Sequence, residues 1–309
     1  MVSVAVVMST YNGEKYLREQ LDSILNQVDV DVKIFVRDDG SSDGTYEILS
    51  EYLKNHENIC VEFGKNEGVG SSFMDALYSV PATFDYYAFA DQDDIWLENK
   101  LIEAVKLLNV NKEKQVYFSN QECIDGNGNS LGLRWKPNDD NVYLSTIGIL
   151  CQNVLCGCTM VFTNAFYKII KTEELRPSST VLNLKNHDGW IALVASLDDL
   201  IIFDDRSFML YRQHGGNVVG AYQAGFRKKI SAKFKKLFNS ELRNYRSKTA
   251  NELCEKFPCE TNRLPLIKIC AKTSKFKDKR TILKNYKNIC CYTNESYLNF
   301  RFKVLFGLF

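Results

Sequence analysis

Tyr86-Tyr87-Ala88-Phe89-Ala90, followed at once by Asp91-Gln92-Asp93-Asp94, is the stretch on which the reading of this chain turns. The first five residues are aromatic or small and apolar, with no Gly or Pro, and predict a buried strand. Four polar residues, three of them carboxylates, follow where that strand must emerge. Like charges so close repel and raise one another's pKa unless a cation neutralises them. A divalent cation carrying a diphosphate does this most simply, because Mg2+ and Mn2+ take hard oxygen ligands and keep positions open for phosphate oxygens. The plain alternative is a solvated turn before a helix, with acids complementing the dipole. Asp94 fits that alternative, since Ile95-Trp96-Leu97 begins a helical-looking stretch. A D-x-D triplet alone decides little.

Outward from this strand, the first 120 residues alternate strand and helix signals. Val2–Met8 is nearly continuous in apolar residues, and Lys33–Arg37 and Ile59–Phe63 are further short runs of strand type. Between them lie helical patterns at Glu14–Asn26 (Tyr16, Leu17, Leu21, Ile24 and Leu25 on one face), Asp43–His56 and Val69–Val80, with another at Glu98–Leu108. The β-α-β-α order predicts an α/β fold: a doubly wound, mostly parallel sheet with helices on both faces, which binds ligands beyond the carboxyl ends of its strands. Val116–Ser119, Leu155–Phe162 and Leu200–Phe203 read as later strands, Asp125-Gly126-Asn127-Gly128 as a turn, and His187–Ser196 as a helix.

A chain of 309 residues, 45% hydrophobic and 25% charged, buries a full core. Its net charge of +1 hides a division: residues 221–309 hold 21 Lys/Arg and 6 Asp/Glu, a balance of +15, against 18 and 32, or −14, in the rest. Residues 1–220 therefore read as one catalytic domain and 221–309 as a basic, mainly helical extension facing a polyanion or an anionic membrane. In that extension Phe226, Ile230, Phe234, Leu237 and Phe238 form a helical stripe beside Arg227, Lys228, Lys229, Lys233, Lys235 and Lys236, as in interfacial helices; packing against an acidic domain is the bland counterpart. The ten cysteines lack zinc-site spacing, and with no signal peptide they read as small core residues of a protein in a reducing cytoplasm. No stretch approaches the ~20 apolar residues of a membrane span.

Three of the first four strands end in small or acidic polar residues: Ser9-Thr10-Tyr11-Asn12-Gly13, Asp38-Asp39-Gly40-Ser41-Ser42-Asp43, and the Asp91 cluster. In a parallel sheet these ends share one edge and make one site. Together with Asn66-Glu67-Gly68, Ile95-Trp96, His187-Asp188-Gly189-Trp190 and Tyr211-Arg212-Gln213-His214-Gly215-Gly216-Asn217, they resemble glycosyltransferase family two over residues 2 to about 220, and within it the bacterial rhamnosyltransferase-like members.

The resemblance implies a GT-A fold and an inverting, metal-dependent transfer from a nucleotide-diphosphate sugar, dTDP-L-rhamnose before a UDP-hexose, to a saccharide or lipid-linked acceptor in cell-surface polysaccharide assembly. It implies a cytoplasmic protein, peripheral at the inner face of the membrane, with no nucleic-acid partner. Thr10, Tyr11, Asn12 and Asn66 would line the nucleotide pocket, and Asp39 would accept the N3–H of uracil or thymine. Asp93, with Asp91, would hold Mg2+ or Mn2+ between the phosphates. Asp188 would be the base for the acceptor hydroxyl; its structural alternative is a helix N-terminal acid. His187 stands where many members carry Glu and is not promoted to catalyst. His214 would add a late phosphate or metal contact. Arg212 would pair with the diphosphate or salt-bridge an acid. Trp96 and Trp190 would stack on sugars or pack in the core.

Two departures matter: Gly68-Val69-Gly70-Ser71-Ser72-Phe73 lacks an Arg-Asn pair common in the family, and no Gln-x-x-Arg-Trp motif of processive synthases occurs, which points to single additions. A sugar-nucleotide nucleotidyltransferase would need a Gly-rich, basic loop after the first strand, and Ser9–Gly13 has one Gly and no basic residue. A non-enzymatic binding module would lack Asp93 or Asp188; both are present.

Overall fold

Val4 to Met8 are wholly inaccessible, as a strand covered on both faces must be. They belong to β1 (Val2–Thr10), whose neighbours are β2 (Val30–Asp38) and β4 (Tyr86–Ala90), with β3 (Ile59–Phe63) beyond β2; all three pairings are parallel. The computed structural model describes residues 1–108, 115–136, 144–152, 155–214, 243–273, 275–292 and 296–309. Its sheet runs β3-β2-β1-β4-β8-β6-β9-β5. The later strands are β5 (Ile95–Trp96), β6 (Val116–Asp125), β7 (Ser130–Leu133), β8 (Val161–Thr163) and β9 (Ile201–Gln213). β8 is antiparallel to β4 and β6, β9 is parallel to β6, and β7 pairs with β6 beside the main path.

The helices cover both faces. α1 (Leu17–Leu25), α2 (Thr45–Asn55) and α4 (Lys100–Leu108) bring Leu17, Leu21, Leu49, Leu101 and Val105 against Val4, Val6 and Met8. On the other side α3 (Val69–Ser79) sets Phe73 edge-on to Phe89 at 5.6 Å, while Tyr167 of α6 (Asn164–Ile170) stacks on Tyr87 at 3.8 Å. Strand register then positions the polar loops. Thr10 lies opposite Asp38, and Met8 opposite Ala90, so Asp91 emerges level with the end of β1.

Three expectations need correction. Ile95-Trp96 does not start a helix: it pairs antiparallel with Leu210 and Met209 of β9. Asp94, far from capping a helix in solvent, is fully buried. Leu155–Phe162 is not one strand. Thr159 and Met160 N–H donate to the carbonyls of Cys156 and Gly157, so the chain turns in a short 3-10 segment before β8. An apolar run fits a tight turn as well as a strand, and Gly157 permits the former.

The chain forms two compact units: Met1–Asp139 with Leu155–Arg176 and Leu200–Gly220, and Asp140–Val154 with Pro177–Asp199 and Ala221–Phe309. A boundary at 220 is expected from sequence, yet the second unit also takes up the two internal stretches, the latter carrying Asp188. Its described elements are helices: α5 (Thr146–Cys151), α7 (Ser179–Ala195), α8 (Tyr245–Lys256), α9 (Pro258–Thr261), α10 (Pro265–Ala271), α11 (Phe276–Lys284), α12 (Tyr286–Cys290) and α13 (Tyr297–Leu305). The basic stripe at 226–238 and Gly215-Gly216-Asn217 lie outside the described residues.

Candidate active site

Three loops meet at the carboxyl ends of β1, β2 and β4, and side-chain hydrogen bonds lace them together. Thr10 Oγ1 donates to Asp38 Oδ1 (2.8 Å), and Asp38 also accepts from Ser41. Asn12, in the left-handed region at φ 51°, gives its N–H to Ser41 Oγ (2.9 Å) and accepts Ser42 N–H (2.8 Å). Such a φ suits Asn. The Gln92 amide holds the Tyr11 backbone from both sides, accepting its N–H at 2.8 Å and donating to its carbonyl at 3.1 Å. A Cβ at Gly13 would lie 2.4 Å from the Gln92 Oε1, so a larger residue there would displace that amide from Tyr11. Asp43 accepts the Thr45 hydroxyl (2.6 Å) and N–H (3.1 Å), but the N-cap of α2 is Gly44, so Asp43, expected as the cap, holds the first helical residue from one position before it. Burial works to raise its pKa, but these donors outweigh it and hold the carboxyl below the usual range.

Asp39 is buried, its carboxylate taking Arg37 Nη1 at 2.6 Å and the N–H groups of Glu67 (2.9 Å) and Gly68 (3.0 Å). It thereby anchors the loop that presents Asn66. Tyr11 and Asn66 stand exposed around it. Arg37, whose role the sequence did not signal, neutralises Asp39 in the core and explains why an aspartate is tolerated there.

The acid loop is clasped from β9. Arg212 gives its backbone N–H to Asp94 Oδ1 (3.0 Å), its Nε to the Asp93 carbonyl (2.9 Å) and its Nη2 to Glu19 (2.5 Å), while its guanidinium lies 4.5 Å from the Tyr16 ring centre. The side chain is only 4% exposed. Of the two roles open from sequence, the structure therefore displays the ion pair with an acid. His214 Nε2 meets Asp93 Oδ2 at 2.7 Å and its ring packs on Tyr16, so these two expected metal residues do come together. Asp91 groups instead with Asp94 and Cys158, their ligand atoms all within 4.8 Å of one another. The Asp93–His214 pair offers oxygen and imidazole donors that suit a divalent cation such as Mg2+ or Mn2+, whereas the Asp91–Asp94–Cys158 group includes a buried thiol that a hard cation does not favour.

Beneath the loop lies a buried layer that sequence reasoning missed. Burial first, then the charges of Asp93 and Asp91, push the Asp94 carboxyl well above its ordinary range. Lys100 Nζ sits 3.6 Å from the Trp96 ring centre; burial lowers it to about 7, against the pull of Cys158 and Asp94. Nothing in the helical pattern at Glu98–Leu108 sets Lys100 apart in the sequence, yet it is buried.

In the second unit α7 breaks at Asn186 (φ 56°, ψ 179°), and the helix restarts with His187 and Asp188. Asp188 thus occupies a first turn, with Oδ1 accepting the Gly189 N–H at 2.7 Å, and it is partly exposed. His187 is buried and held by that burial at about 3, which makes it neutral and a poor base near neutrality. Lys185 closes the end of α5, donating to the carbonyls of Ile149 (3.0 Å) and Leu150 (2.9 Å). Trp190 is buried and leans on Phe257, and Trp96 is buried under Lys100; both are core residues. The ten cysteines are all unbridged; five are buried, and Cys259 and Cys291 are exposed.

Comparison with known proteins adds independent findings. The family described as Glycosyl transferase family 2 matches residues 5–170. A dTDP-rhamnosyl transferase of Shigella flexneri is 31% identical over 258 residues, 80% of this chain and 85% of that protein. An uncharacterized glycosyltransferase of Methanocaldococcus jannaschii is 30% identical over 196 residues, 62% of this chain and 65% of that one. An uncharacterized glycosyltransferase of Rickettsia bellii, 25% identical, is matched over only 34% of its own length. Among solved structures, S. aureus TarS 1-349 in complex with UDP-GlcNAc shares the fold, with a TM-score of 0.54 at 18% identity over 95% of this chain and 82% of that one. Among the described residues no helix is long and apolar enough to cross a membrane.

Proposed function

The chain belongs to glycosyltransferase family 2, and from that premise we propose that it transfers L-rhamnose from dTDP-rhamnose, with inversion, to a saccharide or lipid-linked acceptor in cell-surface polysaccharide synthesis. The similarity to a dTDP-rhamnosyl transferase over 80% of the chain carries the choice of donor. The convergence of three polar loops on the Asp91–Asp94 segment supports a nucleotide-diphosphate site there.

In this reading Tyr11, Asn12 and Asn66 receive the nucleoside above the Thr10–Asp38 pair, and Asp39 accepts the N3–H of the base. Asp93 and His214, with Asp91 close by on the same loop, would hold Mg2+ or Mn2+, which when bound would neutralise charge on the departing nucleoside diphosphate. Arg212 acts from beneath, fixing the Asp93 carbonyl and the Asp94 carboxyl so that the loop keeps its shape. Asp188 takes the proton of the acceptor hydroxyl as that oxygen attacks the anomeric carbon. The protein works in the cytoplasm, peripherally at the inner membrane face, with the C-terminal helices as its contact. A donor screen by nucleotide release, with Mn2+ or Mg2+, tests the proposal. Turnover of dTDP-rhamnose above UDP-hexoses is the expected result; a preference for a UDP-hexose refutes the donor, and no release from any nucleotide sugar refutes the site.

A further inference from the structure

α13 is apolar on opposite sides. Phe300 and Val304 are buried. Yet Leu298, Phe302, Leu305 and Phe306 are 75%, 42%, 37% and 58% exposed. At ~100° per residue, these four fall within about 100° of arc, with Arg301 bordering one edge and Lys303 the other. A helix apolar all round is normally covered all round, and large aromatic groups left open mark a docking surface. α11 continues the patch. Lys279 Nζ donates to the Leu305 carbonyl at 3.0 Å, and Phe276, one turn before Lys279, is 78% exposed. Charge names the occupant. Residues 275–309 carry eight Lys/Arg and two Asp/Glu, so a second copy would set like charges face to face, while an anionic surface would complement them.

We propose that the stripe Leu298-Phe302-Leu305-Phe306, with Phe276, seats this chain on an anionic lipid bilayer, the aromatics entering the headgroup boundary and Arg301 and Lys303 meeting lipid phosphates. This deepens the peripheral placement proposed above, on which it rests, by naming the face. It uses none of the donor-site residues. Binding of this kind scales with apolar area and with basic charge, and weakens with salt.

The full-length protein is sedimented with phosphatidylglycerol–phosphatidylethanolamine vesicles and, separately, with phosphatidylcholine vesicles. Salt-sensitive binding to the first alone is expected. Leu298→Ser with Phe302→Ser and Phe306→Ser should weaken it by roughly tenfold or more, and Arg301→Glu with Lys303→Glu by about tenfold. Both variants should melt as the parent does and release nucleotide normally without vesicles. A parent that ignores anionic vesicles, or two variants that bind like the parent, overturns the proposal. So does a parent dimer that the serine variant splits while vesicle binding stays the same. Lost docking with turnover intact strikes the membrane face alone; docking without turnover of any nucleotide sugar strikes the transferase reading alone.

Discussion

The sheet-bearing unit and the C-terminal helices spend their apolar residues in opposite ways. In the former, β1 and β4 are closed over on both faces, and polarity is concentrated in loops whose side chains are tied to one another. In the latter, short helices leave large aromatic residues in the open beside a surplus of positive charge. The contrast sets polar side chains held in place by one another against apolar side chains that stand open. Substitutions should therefore fail for different reasons in the two regions.

The largest effect is expected at Asp93. Asp93→Asn removes a cation ligand and the charge facing His214 with little change in volume, so nucleotide release should disappear while the melting curve stays put. Turnover by that variant in the presence of a chelator would break the assignment. Next is Asp188→Asn, which should lower kcat by roughly 10²–10⁴ with nucleotide Kd nearly unchanged; a raised Kd with kcat preserved would make Asp188 a binding residue. Arg212→Met comes third. The side chain's bonds to the Asp93 carbonyl and to the exposed Glu19 are lost while the backbone bond to Asp94 stays, so a loss of about 1–3 kcal/mol of stability is expected in denaturant titration, accompanied by lower kcat. Were Arg212 a diphosphate contact only, donor KM would rise and stability would hold.

A smaller effect sharpens the comparison through pH. The folded pKa of His187 lies near 3, below an unfolded value near 6.5. The unfolded chain therefore binds the extra proton between these values, and stability falls as pH drops from about 6.5 towards 3. His187→Phe should flatten this part of the stability profile by up to a few kcal/mol. Identical acid slopes in parent and variant would show that His187 takes up no proton on unfolding. Smallest of all, Leu298→Ser, at the most exposed of the four stripe residues (75%), should change stability by under about 0.5 kcal/mol; a clear destabilisation would mean the stripe is covered.

Much of this was legible in the chain. The strand at Tyr86–Ala90 and the strand at Ile59–Phe63 coincide with their sequence signals residue for residue, because short apolar runs bounded by polar loops leave little freedom. The gathering of Asp38, Asp39 and Asp91–Asp94 at one edge followed from the parallel order. What escaped were effects of distant pairing. Ile95-Trp96 has helical neighbours in sequence but finds β9, and Asp94 and Lys100 on either side of it are buried. Arg212 offered two partners in principle, and the acid it pairs with, Glu19 on α1, lies almost 200 positions away. Arg37 gave no signal at all, since its partner Asp39 read as a contact for the nucleotide base and not as a buried carboxylate in need of a cation.

The clasp of β9 on the acid loop also sets a timetable for folding. The Arg212–Asp94 and His214–Asp93 contacts span 118 and 121 residues. A growing chain thus carries its acidic motif for on the order of ten seconds before the residues that hold it are synthesised. Contacts so distant in sequence are closed late. A one-residue slip in β9 would turn Arg212 to the opposite face and undo both contacts together. Catalytic competence is then a property of the finished strand rather than of the motif, and a nascent or truncated chain carrying the motif remains an unarmed one.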